Sequence, residues 1–248
     1  MTLRLFVALP LAAGTEVELP PAAARHVQVR RLQPGDGLMV FDGRGGEWRA
    51  RVRRIGRREV AVGIESHDDV DREAMPRVTL AVGMPAGERM DWLVEKATEL
   101  GAAAIQPLVT ERSTLRLDGE RAVRKRAHWQ AIAVAAAEQC GRTCVPPVHE
   151  PRALARWLDE PGAVRRGWLL MLPQGNGAGA RGPAEPDDEG RDRGDPAAPV
   201  VVLSGPEGGL TDDEQQQVLR QGLRPWSLGP RVLRAETAPL TALARLTA

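Results

Sequence analysis

The stretch VVVLSGPEGGLTDDE, residues 200–214, decides the fold that we predict for this chain. It opens with four apolar residues, mostly β-branched, a run too short for a helix and typical of a buried strand. A glycine-rich turn follows, and Thr211 with Glu214 forms a capping box that predicts a helix through Gln221, ended by Gly222. In α/β sheets, ligands bind beyond the carboxyl ends of such strands. An ordinary βα turn without a ligand explains this stretch alone equally well.

The composition excludes several kinds of site. The chain has 248 residues, enough for two modest domains, and a formal net charge of +1. Its two cysteines, Cys140 and Cys144, lack a second pair for a zinc site, and its four histidines form no ligand pair at helical spacing. We therefore expect no metal, and reduced thiols in a cytoplasmic protein. We also expect no membrane association, because no apolar run approaches the length of a membrane span.

The first 72 residues predict a small β domain. Short strands separated by turn signals, with one helix at 21–31, are typical of a small barrel. The predicted strand at 48–53 alternates apolar residues with three arginines, which a strand sends to its opposite face. Residues 1–64 carry 11 arginines against 6 acidic residues, a formal excess of +5. An arginine row in such a domain suits a phosphate backbone, and a solvated strand face explains the pattern equally well.

From residue 77 onward, short apolar strands alternate with helices, which predicts an α/β domain with a mainly parallel sheet. The charged stretch from Asp68 to Pro76 marks the expected boundary between domains 1–72 and 73–248. We expect strands at 78–82, 104–109, 168–172, 200–203 and 226–228, and helices at 89–100, 119–140, 211–221 and 239–248.

Residues 174–199 interrupt this alternation. They are rich in glycine, proline, alanine and charged residues, from which no core can be built, so we expect a flexible surface insertion. Gly177, Gly179 and Gly182 match the spacing of the dinucleotide fingerprint. We reject a dinucleotide site there, because no amphipathic helix follows the glycines.

Three successive predicted strands end in turn-forming residues, at 172–173, 203–209 and 228–237. In a parallel sheet these turns lie at one edge, which predicts a nucleotide-type pocket. The sequence shows no P-loop, nucleophile elbow or metal cluster beside them. We therefore expect the pocket to hold a cofactor through backbone groups.

Five motifs follow one another along the chain: EKATELG at 95–101, TERS at 110–113, AEQCGR at 137–142, SGPEGG at 204–209 and LGPRVLRAET at 228–237. With them the chain resembles, over nearly its whole length, the 16S ribosomal RNA uridine N3-methyltransferases of the SPOUT superfamily. The last two motifs in this order are specific. The pattern around His26, Arg30 and 41–43 is similar to the PUA-like RNA-binding barrel of that family.

The resemblance implies an α/β fold in which a C-terminal SPOUT domain, threaded as a deep trefoil knot with a mainly parallel sheet, follows a small N-terminal PUA-like β-barrel. It implies S-adenosylmethionine as cofactor, 16S rRNA in the small ribosomal subunit as partner, and a homodimer through the knotted domain. The cofactor contacts that carry over are Leu172, Pro173, Leu203, Gly205, Pro206, Glu207, Gly208, Leu228, Gly229, Val232, Leu233, Arg234, Thr237 and Ala238. The expected RNA contacts are Arg4, Arg25, His26, Arg30, Arg49, Arg51 and Arg53.

The resemblance also implies methyl transfer to N3 of a specific uridine, a nitrogen whose proton must leave. Arginines are expected to stabilise the charge that develops on the ring or to hold phosphate, although a structural ion pair explains each equally well. Glu138 is a candidate base, and Glu236 is expected to orient Arg231 or Arg234. The catalytic candidates are Arg112, Glu138, Arg142 and Arg234.

Two other functions stay open at this point. A related SPOUT enzyme would modify a ribose 2′-hydroxyl or another RNA, and the modified nucleoside would distinguish it. A catalytically silent RNA-binding factor would use only the N-terminal barrel. The intact GPEGG turn at 205–209 disfavours this last function.

Overall fold

The computed structural model describes residues 2–162, 166–173 and 199–247. The chain divides into two compact units, Met1–Glu73 with Val134–Val145, and Ala74–Ala133 with Pro146–Ala248. Except for Pro199, the expected insertion at 174–199 lies outside the described residues, and so do the three glycines of the rejected fingerprint. None of the described helices combines the length and apolarity that a bilayer crossing needs.

The first unit contains β1 (Arg4–Phe6), β2 (Glu16–Glu18), α1 (Pro21–Val29), β3 (Gly37–Phe41), β4 (Glu47–Ile55) and β5 (Val60–Asp68). The strands pair in the order β1-β3-β4-β5-β2. Alternating apolar residues of β4 and β5 share one core with Ala23, Ala24 and Val27 of α1. The predicted helix and strands are confirmed, and closure of the two sheet edges into a barrel stays a prediction.

Two details of this unit differ from the sequence-based expectation. Helix α1 ends at Val29 rather than Arg31, because Arg31 takes a left-handed backbone conformation with a φ of 56°. Strand β2 was not predicted, since its three residues place one half-buried valine between two exposed glutamates and show no readable period. Pairing with β5 defines this strand.

The second unit contains β6 (Val78–Gly83), α2 (Arg89–Glu99), β7 (Ala104–Val109), most of α3 (Gly119–Cys140), β8 (Arg152–Ala153), α4 (Leu154–Leu158), β9 (Gly167–Met171), β10 (Val200–Ser204), α5 (Asp212–Arg220), β11 (Arg224–Ser227) and α6 (Thr237–Thr247). The strand order is β11-β9-β10-β6-β7-β8, and every pair is parallel. The predicted parallel sheet is therefore confirmed. The sequence pattern missed β8 and α4, which are too short to show a period, although Trp157 and Leu158 of α4 are buried.

Strand β10 lies in the middle of this sheet, and all five of its residues are buried. The helix after it begins as the capping box predicted. Thr211 Oγ1 accepts a hydrogen bond from the Glu214 amide at 3.3 Å, and Glu214 Oε2 accepts one from the Thr211 amide at 3.0 Å. The other carboxylate oxygen of Glu214 accepts from the amide of Glu111 at 2.8 Å, which ties the loop after β7 to the start of α5.

The end of β6 and the glycine turn after β10 approach each other closely at Gly83. A Cβ atom at this position would lie 2.5 Å from Pro206 Cδ and 2.6 Å from Pro206 N. Since a backbone nitrogen cannot yield as a side-chain end can, only glycine fits here without moving the turn.

We expect Gly83→Ala to lower the free energy of unfolding by about 1–3 kcal/mol, because the methyl group overpacks the contact with Pro206. Urea unfolding followed by circular dichroism measures this change. Gly37→Ala is the matched control, since a Cβ at Gly37 of β3 would meet no atom within 4 Å. Equal stabilities of the two variants would contradict the close approach at Gly83.

Candidate active site

The turns that follow β9, β10 and β11 surround one cavity of about 420 Å³ in the second unit. Residues 171–173, 204–210, 228–229 and 231–233 line it in part, although these segments are far apart in sequence. They meet because the strands are parallel and end at the same edge of the sheet. The prediction that three turns form one pocket is confirmed.

Most of the residues expected to contact a cofactor line this cavity. They are Leu172, Pro173, Gly205, Pro206, Glu207, Gly208, Leu228, Gly229, Val232, Leu233 and Ala238. Leu203, Arg234 and Thr237 do not. Leu203 has no exposed surface and belongs to the core, the Arg234 side chain is exposed, and Thr237 begins α6.

Several lining residues were not predicted. Ser204 ends the central strand and Gly209 ends the glycine turn, while Asp212 and Gln215 lie in the first turns of α5. The signal for the last two was present in the capping box, which predicts a helix N-terminus beside the turn. Arg112, a predicted catalytic candidate, also lines the cavity, and the remaining lining residues outside the predicted cofactor contacts are Leu169, Leu170, Met171, Leu210, Arg231 and Ala235.

The glycine turn presents mainly backbone to the cavity. A Cβ at Gly205 would lie 2.9 Å from the amide nitrogen of Leu210, so no side chain fits inside the turn. Gly209 takes a positive φ of 67°, and its amide closes the turn on the Pro206 carbonyl at 2.8 Å. This geometry agrees with the expectation that the pocket offers backbone groups to a ligand.

Two buried oxygens at this end of the sheet make no hydrogen bond to any residue that the structure describes, Ser204 Oγ and Glu236 Oε2. Ser204 is 3% exposed and lines the cavity. Buried polar atoms without partners are rare in native proteins, and each calls for an explanation. A ligand in the cavity would supply the missing partner of the Ser204 hydroxyl.

The Glu207 side chain holds the glycine turn in place. Its Oε1 accepts hydrogen bonds from the Ala86 amide at 2.9 Å and from Arg89 at 2.8 Å. Burial of the carboxylate opposes its ionisation, but these hydrogen bonds outweigh burial and lower the pKa of Glu207 below its ordinary value. The Nε atom of Arg89 also lies 4.0 Å from Glu236 Oε1, so one guanidinium joins the second and third turns. Glu236 was expected to orient Arg231 or Arg234, and its ion pair in the structure is with Arg89 instead.

Arg112 and Arg234 differ in their surroundings. Arg112 lines the cavity and donates to the Gly208 carbonyl at 3.0 Å, so it clamps the glycine turn from the loop after β7. The Arg234 side chain is exposed and makes no hydrogen bond or ion pair within the described part of the chain. Of the two, Arg234 has the guanidinium that is available to a substrate.

Glu138 and Arg142 belong to the first unit and do not line the cavity. Arg142 is buried, and its Nε lies 3.2 Å from both carboxylate oxygens of Glu73. This is the structural ion pair that the sequence left open as an alternative. Glu138 Oε1 accepts from the Phe6 amide at 2.9 Å, and burial raises the pKa of this carboxyl.

Some of the expected RNA contacts are bound to acidic residues of the first unit, and the others make no ion pair among the described residues. Arg4 is mostly buried, bridges to Glu47 at 2.7 Å and donates to the carbonyl of Ala137, so it stabilises the first unit. Arg49 and Arg51 form ion pairs with acidic residues of β5 at 3.0 and 2.7 Å, as a solvated strand face would. His26 Nδ1 lies 3.5 Å from Glu138 Oε2. The remaining candidates, Arg25, Arg30 and Arg53, are exposed and make no ion pair with any described residue.

The chain is similar to known RNA methyltransferases along its whole length. Residues 72–247 match the family model of an RNA methyltransferase domain, and residues 19–65 match that of an RNA methyltransferase PUA domain. A ribosomal RNA small subunit methyltransferase E from Synechocystis sp. is 36% identical over 253 residues, covering 100% of this chain and 78% of the relative.

Solved structures extend this similarity to three dimensions. A candidate methyltransferase of Legionella pneumophila, in complex with the bound cofactor SAM, is 34% identical with a TM-score of 0.87, and the match covers 99% of this chain and 97% of that chain. A ribosomal RNA small subunit methyltransferase E from Neisseria gonorrhoeae bound to S-adenosyl methionine is 33% identical with a TM-score of 0.86, covering 99% and 96%.

We expect Glu207→Gln to lower the free energy of unfolding by about 1 kcal/mol at pH 7, since the variant removes the charged partner of Arg89. Folding lowers the pKa of Glu207, so the contribution of its carboxylate is fully present above the ordinary value of 4.5 and is lost as the pH falls through the folded-state pKa. Unfolding in urea at a series of pH values should therefore show the two proteins converging in acid. Glu120→Gln, whose side chain is 91% exposed, is the control. A pH-independent difference would contradict this role of Glu207.

Proposed function

Because the chain belongs to the RNA methyltransferase family that includes the ribosomal RNA small subunit methyltransferases E, we propose that it transfers a methyl group from S-adenosylmethionine to N3 of a specific uridine in 16S rRNA. The resemblance inferred from the five motifs is thereby confirmed at the level of the family. The observation that carries the proposal is the cavity enclosed by the backbone of three turns. The relatives bound to S-adenosyl methionine support the same cofactor here.

The residues present fit this cofactor. A cavity of about 420 Å³ lies in the usual range for small-molecule sites. Gly205 and Gly208 of the turn leave little room for a side chain, so the chain there can approach the polar edges of an adenosine closely. Ser204 adds a hydroxyl that lacks a partner in the described protein. Among the described residues, no group of histidine, cysteine and acidic side chains is arranged to hold a metal ion.

When bound, S-adenosylmethionine supplies a methyl group activated by its positively charged sulfur. The three turns would fix the direction in which that group points, and positioning of this kind supplies much of the rate of a transfer reaction. The exposed Arg234 would stabilise the negative charge that develops on uracil as its N3 proton leaves. Arg112, bound to the Gly208 carbonyl, would hold the shape of the pocket. The proton acceptor that the sequence predicted, Glu138, belongs to the first unit and does not line the cavity, so its role stays a prediction.

The knot, the homodimer and the ribosomal partner are parts of the same proposal. Strand β10 lies between β9 and β6 rather than at an edge, which agrees with a chain that returns into an existing sheet. Leu172 and Val232 line the cavity yet are 64% and 72% exposed, and a second copy of the chain would cover them. Action on the small ribosomal subunit would place the activity in the cytoplasm.

Methyl transfer onto small subunits tests this function. Incubation with labelled S-adenosylmethionine should produce 3-methyluridine at one 16S rRNA position, mapped by nucleoside mass spectrometry. A 2′-O-methylated nucleoside would favour the related SPOUT activity, and cofactor binding without transfer to any RNA would overturn the proposal. In the same assay Arg234→Ala should lower kcat by about 100-fold with cofactor affinity unchanged, as expected for a group that acts on developing charge.

We expect Ser204→Ala to weaken S-adenosylmethionine binding by about fivefold, because the buried hydroxyl beside the cavity would turn to the bound cofactor for the partner it lacks. The free protein should lose no stability, since the variant removes an unpartnered buried hydroxyl. Isothermal titration calorimetry and urea unfolding measure the two effects. Thr143→Val is the control, as it removes another unpartnered buried hydroxyl that belongs to the first unit. Equal affinities of Ser204→Ala and the wild type would refute the contact.

A further inference from the structure

Arg31 is the only non-glycine residue in the described chain with a positive φ, 56°. It follows Arg30, which caps α1, and its amide donates to the Gln28 carbonyl at 3.0 Å while the Leu32 amide donates to the Val27 carbonyl at 3.2 Å. These two bonds form a Schellman motif, in which glycine usually takes the left-handed position. An arginine there accepts a steric cost that glycine would avoid.

The surrounding structure maintains this conformation. Leu32 packs against the core of the first unit, so the chain must turn sharply after α1. Glycine at position 31 would make the same turn without strain, and the arginine side chain contributes no described hydrogen bond or ion pair to the fold. Strained residues that the fold does not require are concentrated at functional sites. The Arg31 guanidinium is therefore a candidate for binding.

Gln28 brings more arginines to the same place. Its Nε2 atom donates to the carbonyls of Gly56 and Arg57, at 3.0 and 3.4 Å, and so joins α1 to the turn between β4 and β5. On α1, Arg25 lies one helical turn before Gln28. The backbone amide of Arg31 donates to the Gln28 carbonyl. We call the group that meets around Gln28 the α1–turn cluster; its members are Arg25, Arg31, Arg57 and Arg58.

The α1–turn cluster carries uncompensated charge. All four side chains are exposed, and none makes an ion pair or hydrogen bond with a residue that the structure describes. Glu59, the acidic residue next to the turn, is already bound to Arg54 at 2.8 Å. The arginine row on β4 differs, since two of its three members, Arg49 and Arg51, are neutralised by acidic residues of β5. Four arginines without a described ion pair therefore belong to the α1–turn cluster, while Arg30 and Arg53, which also lack one among the described residues, lie outside it.

We propose that the α1–turn cluster binds the sugar–phosphate backbone of the RNA substrate. Guanidinium groups match the geometry of phosphate oxygens and form paired, charge-assisted hydrogen bonds with them. Exposed arginines of this kind suit contacts that position RNA rather than read its sequence. The inference rests on the proposed function only in taking RNA as the substrate.

The dependence of RNA affinity on salt tests the cluster. We expect the double variant Arg57→Gln, Arg58→Gln to reduce the slope of log K against log salt concentration by about 0.7 for each phosphate group that the protein no longer neutralises, measured by filter binding of transcribed 16S rRNA in increasing KCl. The variant Arg49→Gln, Arg51→Gln removes the same charge from the ion-paired strand face and should keep the wild-type slope. A slope lowered only in this control would overturn the proposal.

Substitution of Arg31 separates binding from folding. Arg31→Gly should weaken RNA binding several-fold without lowering the melting temperature, because relief of strain offsets the greater freedom of glycine in the unfolded chain. Arg31→Lys keeps the charge but not the planar guanidinium, so it should weaken RNA binding less than Arg31→Gly does. A fall in melting temperature with unchanged RNA affinity would show that the side chain is structural, and would refute its part in the cluster.

These results can be told apart from a failure of the proposed function. Calorimetry with S-adenosylmethionine should give the same affinity for the wild type and every cluster variant, since none of the substituted residues lines the cavity of the second unit. A wild-type protein that binds S-adenosylmethionine but no RNA would contradict the substrate. A wild type that binds RNA with a slope shared by the cluster variants would contradict the α1–turn cluster alone.

Discussion

Parallel pairing is the constraint on which the candidate active site depends. In the second unit β9, β10 and β11 run in the same direction and β10 is buried between its neighbours, so their carboxyl ends reach one edge of the sheet. The turns that leave these strands must then lie side by side, whatever their separation in sequence. A single antiparallel strand in this position would send one turn to the opposite edge and open the cavity.

Side chains in this site hold backbone in place. Glu207 reaches the Ala86 amide and Arg89, Glu214 joins its own capping box to the loop after β7, and Arg112 binds the Gly208 carbonyl. Each contact fixes part of the glycine turn or of a segment beside it. A pocket built in this way binds through groups that every residue possesses, so its specificity lies in the path of the chain.

The arginines of the first unit show that a count of charges does not locate a binding surface. Arg4 and Arg142 are engaged by glutamates in the interior of the unit, and two of the three arginines in the row of β4, Arg49 and Arg51, are neutralised across the strand pair. Around Gln28 the same residue type remains unpaired and exposed. The paired arginines have acidic side chains within ion-pair distance in the fold and the unpaired ones, among the described residues, do not, and the alternation of residues along a strand does not reveal this. The sequence therefore gives the excess charge of +5 in residues 1–64, but only the fold shows where on the domain the unpaired charge lies.

The sequence by itself determined the elements whose hydrogen bonds are local. Helices α2 and α3, the capped α5 and the buried strand β10 were all predictable, because caps, helical period and a short apolar run are written within a few neighbouring residues. The family motifs also located most of the cavity lining. Only the tertiary structure decided the very short strands β2 and β8, the pairing of Glu236 with Arg89, and which arginines are free. These depend on contacts between residues distant in the chain, and such contacts leave no period in the sequence.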